Sequence, residues 1–141
     1  MCGIVGYTGA KAASELLLGS LELLEHRGYD SVGIACVESS TDEVRIQKCV
    51  GRVRDLRVEC KANPVLSTCG IGHTRWATHG GVYQKNAHPH QCGKVTLVHN
   101  GIVENYRELI EDHDLQDALQ SETDTEVAAA LLDLYYKGDA E

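Results

Sequence analysis

Residues 1–9 read Met1-Cys2-Gly3-Ile4-Val5-Gly6-Tyr7-Thr8-Gly9. The run from Cys2 to Tyr7 is short, rich in β-formers and placed at the very terminus, so it predicts a strand that ties the first residues into a sheet. Cys2 becomes the terminal residue once an initiator methionine is trimmed ahead of a small side chain. Thiol and α-amine then share one residue. The amine titrates near ~7.7–8.0 and the thiol near ~8.5, so at neutral pH a fraction of the amine is free to accept the thiol proton. Nucleophile and general base would come from one amino acid, as they do with an N-terminal threonine. The other reading of this position is a small buried strand residue.

Working outward, apolar Ala13, Leu16, Leu17, Leu21 and Leu24 recur at three- and four-residue steps, which predicts a helix over 11–27 with one buried face, stopped at Gly28. Two apolar runs, 32–37 and 44–50, flank a Ser/Thr/Asp-rich loop at 38–43 and predict adjacent antiparallel strands. Residues 52–62 read as a charged helix ending at Asn63-Pro64, and 69–74 as a further strand. A long polar loop follows at 75–94, dense in His, Arg and Trp; loops of this length are uncommon unless functional or disordered. Asn100-Gly101 between apolar runs is a strong hairpin signal, and 104–113 predicts a helix. Thr123 with Glu126 makes a capping box, Asp124 stands in the first turn, and Val127, Ala130, Leu131 and Leu134 form the apolar stripe of a last helix that Gly138 stops.

The 141 residues suit one domain, 1–141, with no internal repeat or linker. A net charge of −8 and a pI near 5.3 speak against a phosphate-tracking nucleic-acid surface or a polybasic membrane anchor, and favour small-molecule chemistry. No apolar stretch of about 18 residues and no secretory leader pattern is present, so a cytoplasmic protein is expected. None of the six cysteines makes a C-x-x-C pair, which predicts reduced and mostly buried thiols.

Six ordered blocks carry a resemblance: MCGIVGYTG at 1–9, HRGYDSVGIA at 26–35, GHTRWATHG at 72–80, NAHPH at 86–90, HNGIVENY at 99–106 and SETDTEV at 121–127. The chain resembles the amino-terminal glutaminase domain of the glutamine:fructose-6-phosphate amidotransferases. Its RGYDS and HTRWATHG wording is closer to that family than to the amidophosphoribosyltransferases. The resemblance implies an α+β fold, the N-terminal-nucleophile hydrolase type of four-layer αββα sandwich. It implies a glutaminase reaction that needs no cofactor or metal, with Cys2 attacking the side-chain amide of L-glutamine to give a thioester and release ammonia. Asn100 and Gly101 match the oxyanion hole, where each donor is typically worth ~10²- to 10³-fold in turnover. Arg75, with its planar fork, matches the site for the substrate α-carboxylate, and Asp124 the site for the α-ammonium. Taken singly, Arg75 could be a solvated surface charge and Asp124 a residue complementing the helix dipole. Trp76, Thr78 and His79 match the loop that covers glutamine. His88 and His90 fall near the pocket without an assigned role, while His26 and Arg27 read as structural.

The match covers about the first three-fifths of that glutaminase domain, so a bare sheet face is expected, with poor folding, self-association or completion by another polypeptide as its outcome. The sugar isomerase domains of the family lie outside the match, so the chain alone would hydrolyse glutamine, or feed ammonia to a separate synthase subunit. Two other classes stay open: a non-catalytic glutamine-binding module, and a metal module built on Cys69, His73, His79, His88, His90 and Cys92.

Overall fold

The computed structural model describes residues 1–77 and 80–138. Strands β1 (Gly3–Thr8), β2 (Ser31–Val37), β3 (Val44–Val50) and β4 (Cys69–Arg75) form one antiparallel sheet in the order β1-β4-β2-β3. Side chains alternate across a strand, so Val5, Tyr7, Val32, Ile34, Cys36 and Cys49 share one face. Two helices cover that face, α1 (Ala13–Leu24) and α2 (Val53–Ala62), through a core of Ala13, Leu17, Leu18, Leu21, Val53, Leu56 and Cys60. The helix predicted at 11–27 ends its α-helical part at Leu24 and finishes as a 3-10 turn over Glu25–Arg27. Its buried stripe differs from the predicted one: Leu18 is 1% exposed and Leu16 37%. Gly28 ends the element in extended backbone with φ −178°, not as a left-handed cap.

On the other side of the sheet lies a small antiparallel pair, β5 (His90–Cys92) and β6 (Val95–Leu97). A third helix, α3 (Tyr106–Asp112), packs on a fourth, α4 (Asp124–Tyr135), and α4 lies across β5 and β6. Leu115, Val127 and Ala130 are buried there, with Cys92, Tyr106, Leu109, Ile110 and Leu131 packed around them. The layers therefore run α1/α2, large sheet, small sheet, α4/α3, an α+β sandwich of the αββα kind. Part of the large sheet's second face stays open: Ile4 is 44% exposed, and Val37, Ile46 and Ile71 are half-buried.

Three further expectations are corrected. The 75–94 stretch is not all loop, since it contains a 3-10 turn (Gln84–Asn86) and β5. The capping box of α4 is half formed: Thr123 Oγ1 accepts from the Glu126 N–H at 3.3 Å, but the Glu126 carboxylate reaches past the cap to the Gln120 and Ser121 N–H groups. All six cysteines are free thiols, yet only Cys36 and Cys60 are buried and Cys69 is exposed. Burial pushes the Cys36 and Cys60 thiols up to about 11. Among the described residues no helix is long and apolar enough to cross a membrane.

Candidate active site

The register of β1 on β4 pairs Gly3 with Thr74, which sets Cys2 beside the corner where the chain leaves the sheet at Arg75 and Trp76. The Gly3 N–H donates to Thr74 Oγ1 at 3.1 Å, and the Trp76 N–H donates to Cys2 Sγ at 3.3 Å. From the opposite side Asn100 Nδ2 donates to the Cys2 carbonyl at 3.4 Å. These segments, with the start of α4, enclose an open pocket of about 390 Å³ lined by Met1, Cys2, Arg75, Trp76, His88, Asn100, Gly101 and Asp124 among others. Met1 is 77% exposed at its mouth.

Arg75 closes β4 and is 3% exposed; its Nη1 donates to the Gly81 carbonyl at 3.1 Å. The corner it shares with Trp76 is held by the RGYDS block. A Cβ on Gly28 would fall 2.7 Å from the Arg75 carbonyl carbon and 2.9 Å from Trp76 N, so only glycine lets the two backbones pass this closely. The Asp30 N–H donates to the Arg75 carbonyl at 3.2 Å, and the Asp30 carboxylate accepts from the Ala77 N–H and from Ser31 Oγ. Tyr29 meets Trp76 edge to face at 5.9 Å, with the Arg52 guanidinium over the Tyr29 ring at 5.2 Å.

The Asn100-Gly101 segment is not a hairpin. β6 ends at Leu97, and no strand lies between it and α3. Tertiary contacts override the local turn signal: His73 Nε2 pairs with the His99 carbonyl at 3.0 Å, His99 Nδ1 with Thr125 Oγ1 at 3.2 Å, and the Val103 N–H donates to Asp124 Oδ2 at 2.7 Å. Asp124, 5% exposed at the start of α4, thus holds the same loop that carries Asn100 and Gly101.

Under the pocket three histidines stack. The His73 ring lies 4.1 Å from His88, nearly parallel, and His88 meets His90 edge to face at 4.7 Å; His90 Nε2 pairs with Thr123 Oγ1 at 3.0 Å. Burial pulls all three imidazoles below their ordinary range, His73 to about 4, His90 to about 3 and His88 lower still. The neighbouring cations Arg75 and Lys48 push His88 and His90 the same way. A neutral His73 facing a carbonyl must carry its proton on Nε2, which leaves Nδ1 as a bare lone pair; that atom and His88 Nδ1 are buried without a hydrogen-bond partner among the described residues.

The structure therefore brings Cys2, Asn100, Gly101, Arg75, Trp76 and Asp124 to one pocket, while Thr78 and His79 lie outside the described residues. Sequence reasoning gave no role to Asp30 or Thr125, and read Thr123 only as a helix cap and His73 only as a candidate metal ligand. The signals were the strand alternation that turns His73 to the far face and the polar cluster ahead of α4, and both become readable only once the strand pairing is known. Among the described residues no group of three His, Cys, Asp or Glu side chains is placed to hold a metal ion.

No protein-family model matches the chain. Among solved structures, glutamine phosphoribosylpyrophosphate amidotransferase from B. subtilis, complexed with ADP and GMP, superposes with a TM-score of 0.78 at 24% identity, covering 100% of this chain and 30% of that one. The fold is that of the N-terminal-nucleophile glutamine amidotransferases. Proteins named glutamine–fructose-6-phosphate aminotransferase [isomerizing] from Clostridium tetani and Bacillus subtilis are 49% and 51% identical over 99% and 100% of the chain. Within that class the chain belongs with the amino-terminal portion of the glutamine–fructose-6-phosphate aminotransferases. It spans 23% of the length of each of these two relatives.

Proposed function

We propose that the chain, as one unit over 1–141, carries the glutaminase half of a glutamine-dependent amidotransferase. The observation that supports this reading is the convergence of Cys2, Asn100-Gly101, Arg75 and Asp124, from four separate segments, on one 390 Å³ pocket. Arg75 takes the α-carboxylate of L-glutamine and Asp124 its α-ammonium, while Trp76, Thr78 and His79 cover the bound ligand. The Cys2 thiolate attacks the side-chain carbonyl carbon, and the developing oxyanion is held by Asn100 Nδ2 and the Gly101 N–H. Collapse breaks the C–N bond, the proton taken from the thiol passes to the leaving nitrogen, and ammonia departs. Water then hydrolyses the thioester to glutamate. Asn100 Nδ2, bonded to the Cys2 carbonyl in the free protein, turns toward the oxyanion as it forms.

The base in this scheme is the α-amine of Cys2, which exists only once Met1 is removed; with Met1 in place that nitrogen is an amide. The ammonia passes to a sugar-phosphate-processing domain or subunit, as the relatives' name implies for them. The setting is the cytoplasm. The test is intact mass of the Met1-free chain before and after 6-diazo-5-oxo-L-norleucine. A single adduct absent from Cys2→Ala is expected; a soluble Met1-free chain that takes up no label refutes the reading.

A further inference from the structure

The two charge readers of the pocket lie on different layers, Arg75 at the end of β4 and Asp124 at the start of α4. One fully buried side chain joins them. Asn86, 0% exposed, donates through Nδ2 to the Gly81 carbonyl at 2.9 Å and to Glu122 Oε2 at 2.8 Å, and its Oδ1 accepts from the Glu122 N–H at 2.9 Å. Every one of these bonds fixes the amide in a single orientation, since the oxygen faces an N–H and the nitrogen faces two acceptors.

The Gly81 carbonyl is also the acceptor for Arg75 Nη1 at 3.1 Å. An unbroken path therefore runs from the Arg75 guanidinium through the Gly81 carbonyl and the Asn86 amide to Glu122. From there it continues through Thr123, the cap of α4, to Asp124. Gly80 makes room for this latch. Its φ of +75° is the left-handed region, and a Cβ there would fall 2.8 Å from Asn86 Nδ2 and 3.2 Å from Glu122 Cβ.

We propose that Asn86 is a positioning residue that sets the distance between Arg75 and Asp124, and so makes the pocket selective for ligands bearing an α-carboxylate and an α-ammonium together. Asn86 does not line the pocket; it acts through the two residues that do. Without it the Gly81 carbonyl loses its second donor, and the segment before α4 keeps only the solvent-exposed Lys85–Glu122 ion pair at 3.5 Å as a tie to the 80–86 turn. Charge at each reader is unchanged and only their separation is released.

This inference rests on the glutamine reading, and its test separates the two. The full Met1-free chain is labelled at Cys2 with 6-diazo-5-oxo-L-norleucine, which carries both α-groups, and in parallel with iodoacetamide, which carries neither. Asn86→Ala is compared with Asn86→Asp, which keeps size and the acceptor for Glu122 N–H but replaces both donors. Glu122→Ala, at an exposed position, removes the side-chain arm of the latch together with the exposed Lys85 ion pair, and leaves the Glu122 N–H bond to Asn86 in place. Both Asn86 variants are expected to slow norleucine labelling by about tenfold or more and Glu122→Ala by about threefold, with iodoacetamide rates within about twofold of wild type. The ratio of the two rates is the readout that general loosening would not move. Norleucine labelling at the wild-type rate in the Asn86 variants, or an equal fall with both reagents, overturns the proposal. A wild-type chain that the norleucine reagent never labels overturns the glutamine reading itself and this inference with it.

Discussion

Gly33, in the middle of β2, faces the backbone of His88 in the segment that leads into β5. A Cβ added there would lie 2.1 Å from the His88 carbonyl oxygen, 3.1 Å from its carbon and 2.7 Å from Lys48 Cβ. Optimal non-bonded separations are about 3.5–4.0 Å, so Gly33→Ala requires the His88 backbone to withdraw by more than about 1 Å. That backbone is not free to yield: Lys48 Nζ donates to the Ala87 and Pro89 carbonyls at 2.8 and 3.3 Å, and the His88 ring is caught between His73 and His90. Overpacking of this kind costs ~1–3 kcal/mol or more, against ~0.5–1 kcal/mol regained because alanine restricts the unfolded chain. The upper end applies, giving a net loss of about 2–2.5 kcal/mol and a fall in Tm of about 8 °C for a chain this long. Gly6→Ala is the control, since its Cβ would meet nothing nearer than Ile71 Cγ2 at 4.0 Å, and it should be neutral or stabilise by ~0.5 kcal/mol. Urea unfolding followed by circular dichroism measures both. A Gly33→Ala protein within about 0.5 kcal/mol of wild type, or a Gly6→Ala protein equally damaged, would refute the close-approach argument.

Acid should unfold the protein through the histidine stack. His73 and His90 titrate near 4 and 3 when folded, against about 6.5 unfolded. Between those values the unfolded chain binds more protons, so stability is complete above pH ~6.5 and falls as the pH drops toward 4. With His88 shifted in the same direction, the slope approaches roughly 4 kcal/mol per pH unit; urea midpoints that stay flat from pH 7 to 5 would contradict it. At the pocket, Asp124→Asn keeps an acceptor for the Val103 N–H and removes the charge. It should leave Tm within about 2 °C while slowing norleucine labelling at least tenfold; a loss of stability without loss of labelling would show a purely structural role.

Strands β1, β2 and β3 were legible because their apolar runs are bounded by turn residues and one face is buried against α1 and α2. The helix faces were less so. Leu18 is buried and Leu16 is not because α1 lies against the sheet on one side and α2 on another, which shifts its buried stripe. On α4 the predicted Leu134 is 52% exposed while Ala129 is fully buried, since that helix rests on a thin two-stranded ribbon that admits small residues. β5, at three residues, is too short to show any period. Cys2 could be singled out from chemistry alone, and Arg75 and Asp124 only through the resemblance. The histidine stack and the Asn86 latch join segments 15 to 36 residues apart and leave no local pattern to read.

The placement of β1 at the sheet edge has a consequence in time. Gly3 pairs with Thr74, 71 residues later, and among the described residues β1 has no other strand partner. At a synthesis rate of roughly 5–20 residues per second, the first strand waits about 4–14 s on the ribosome before the residues that will hold it exist. Asn100 and Asp124 arrive later still. For that interval Met1 and Cys2 are open nascent chain, within reach of enzymes that process amino termini; the docking of β4 then fixes Gly3 on Thr74 and seats Cys2 against Trp76, while Met1 stays exposed at the pocket mouth.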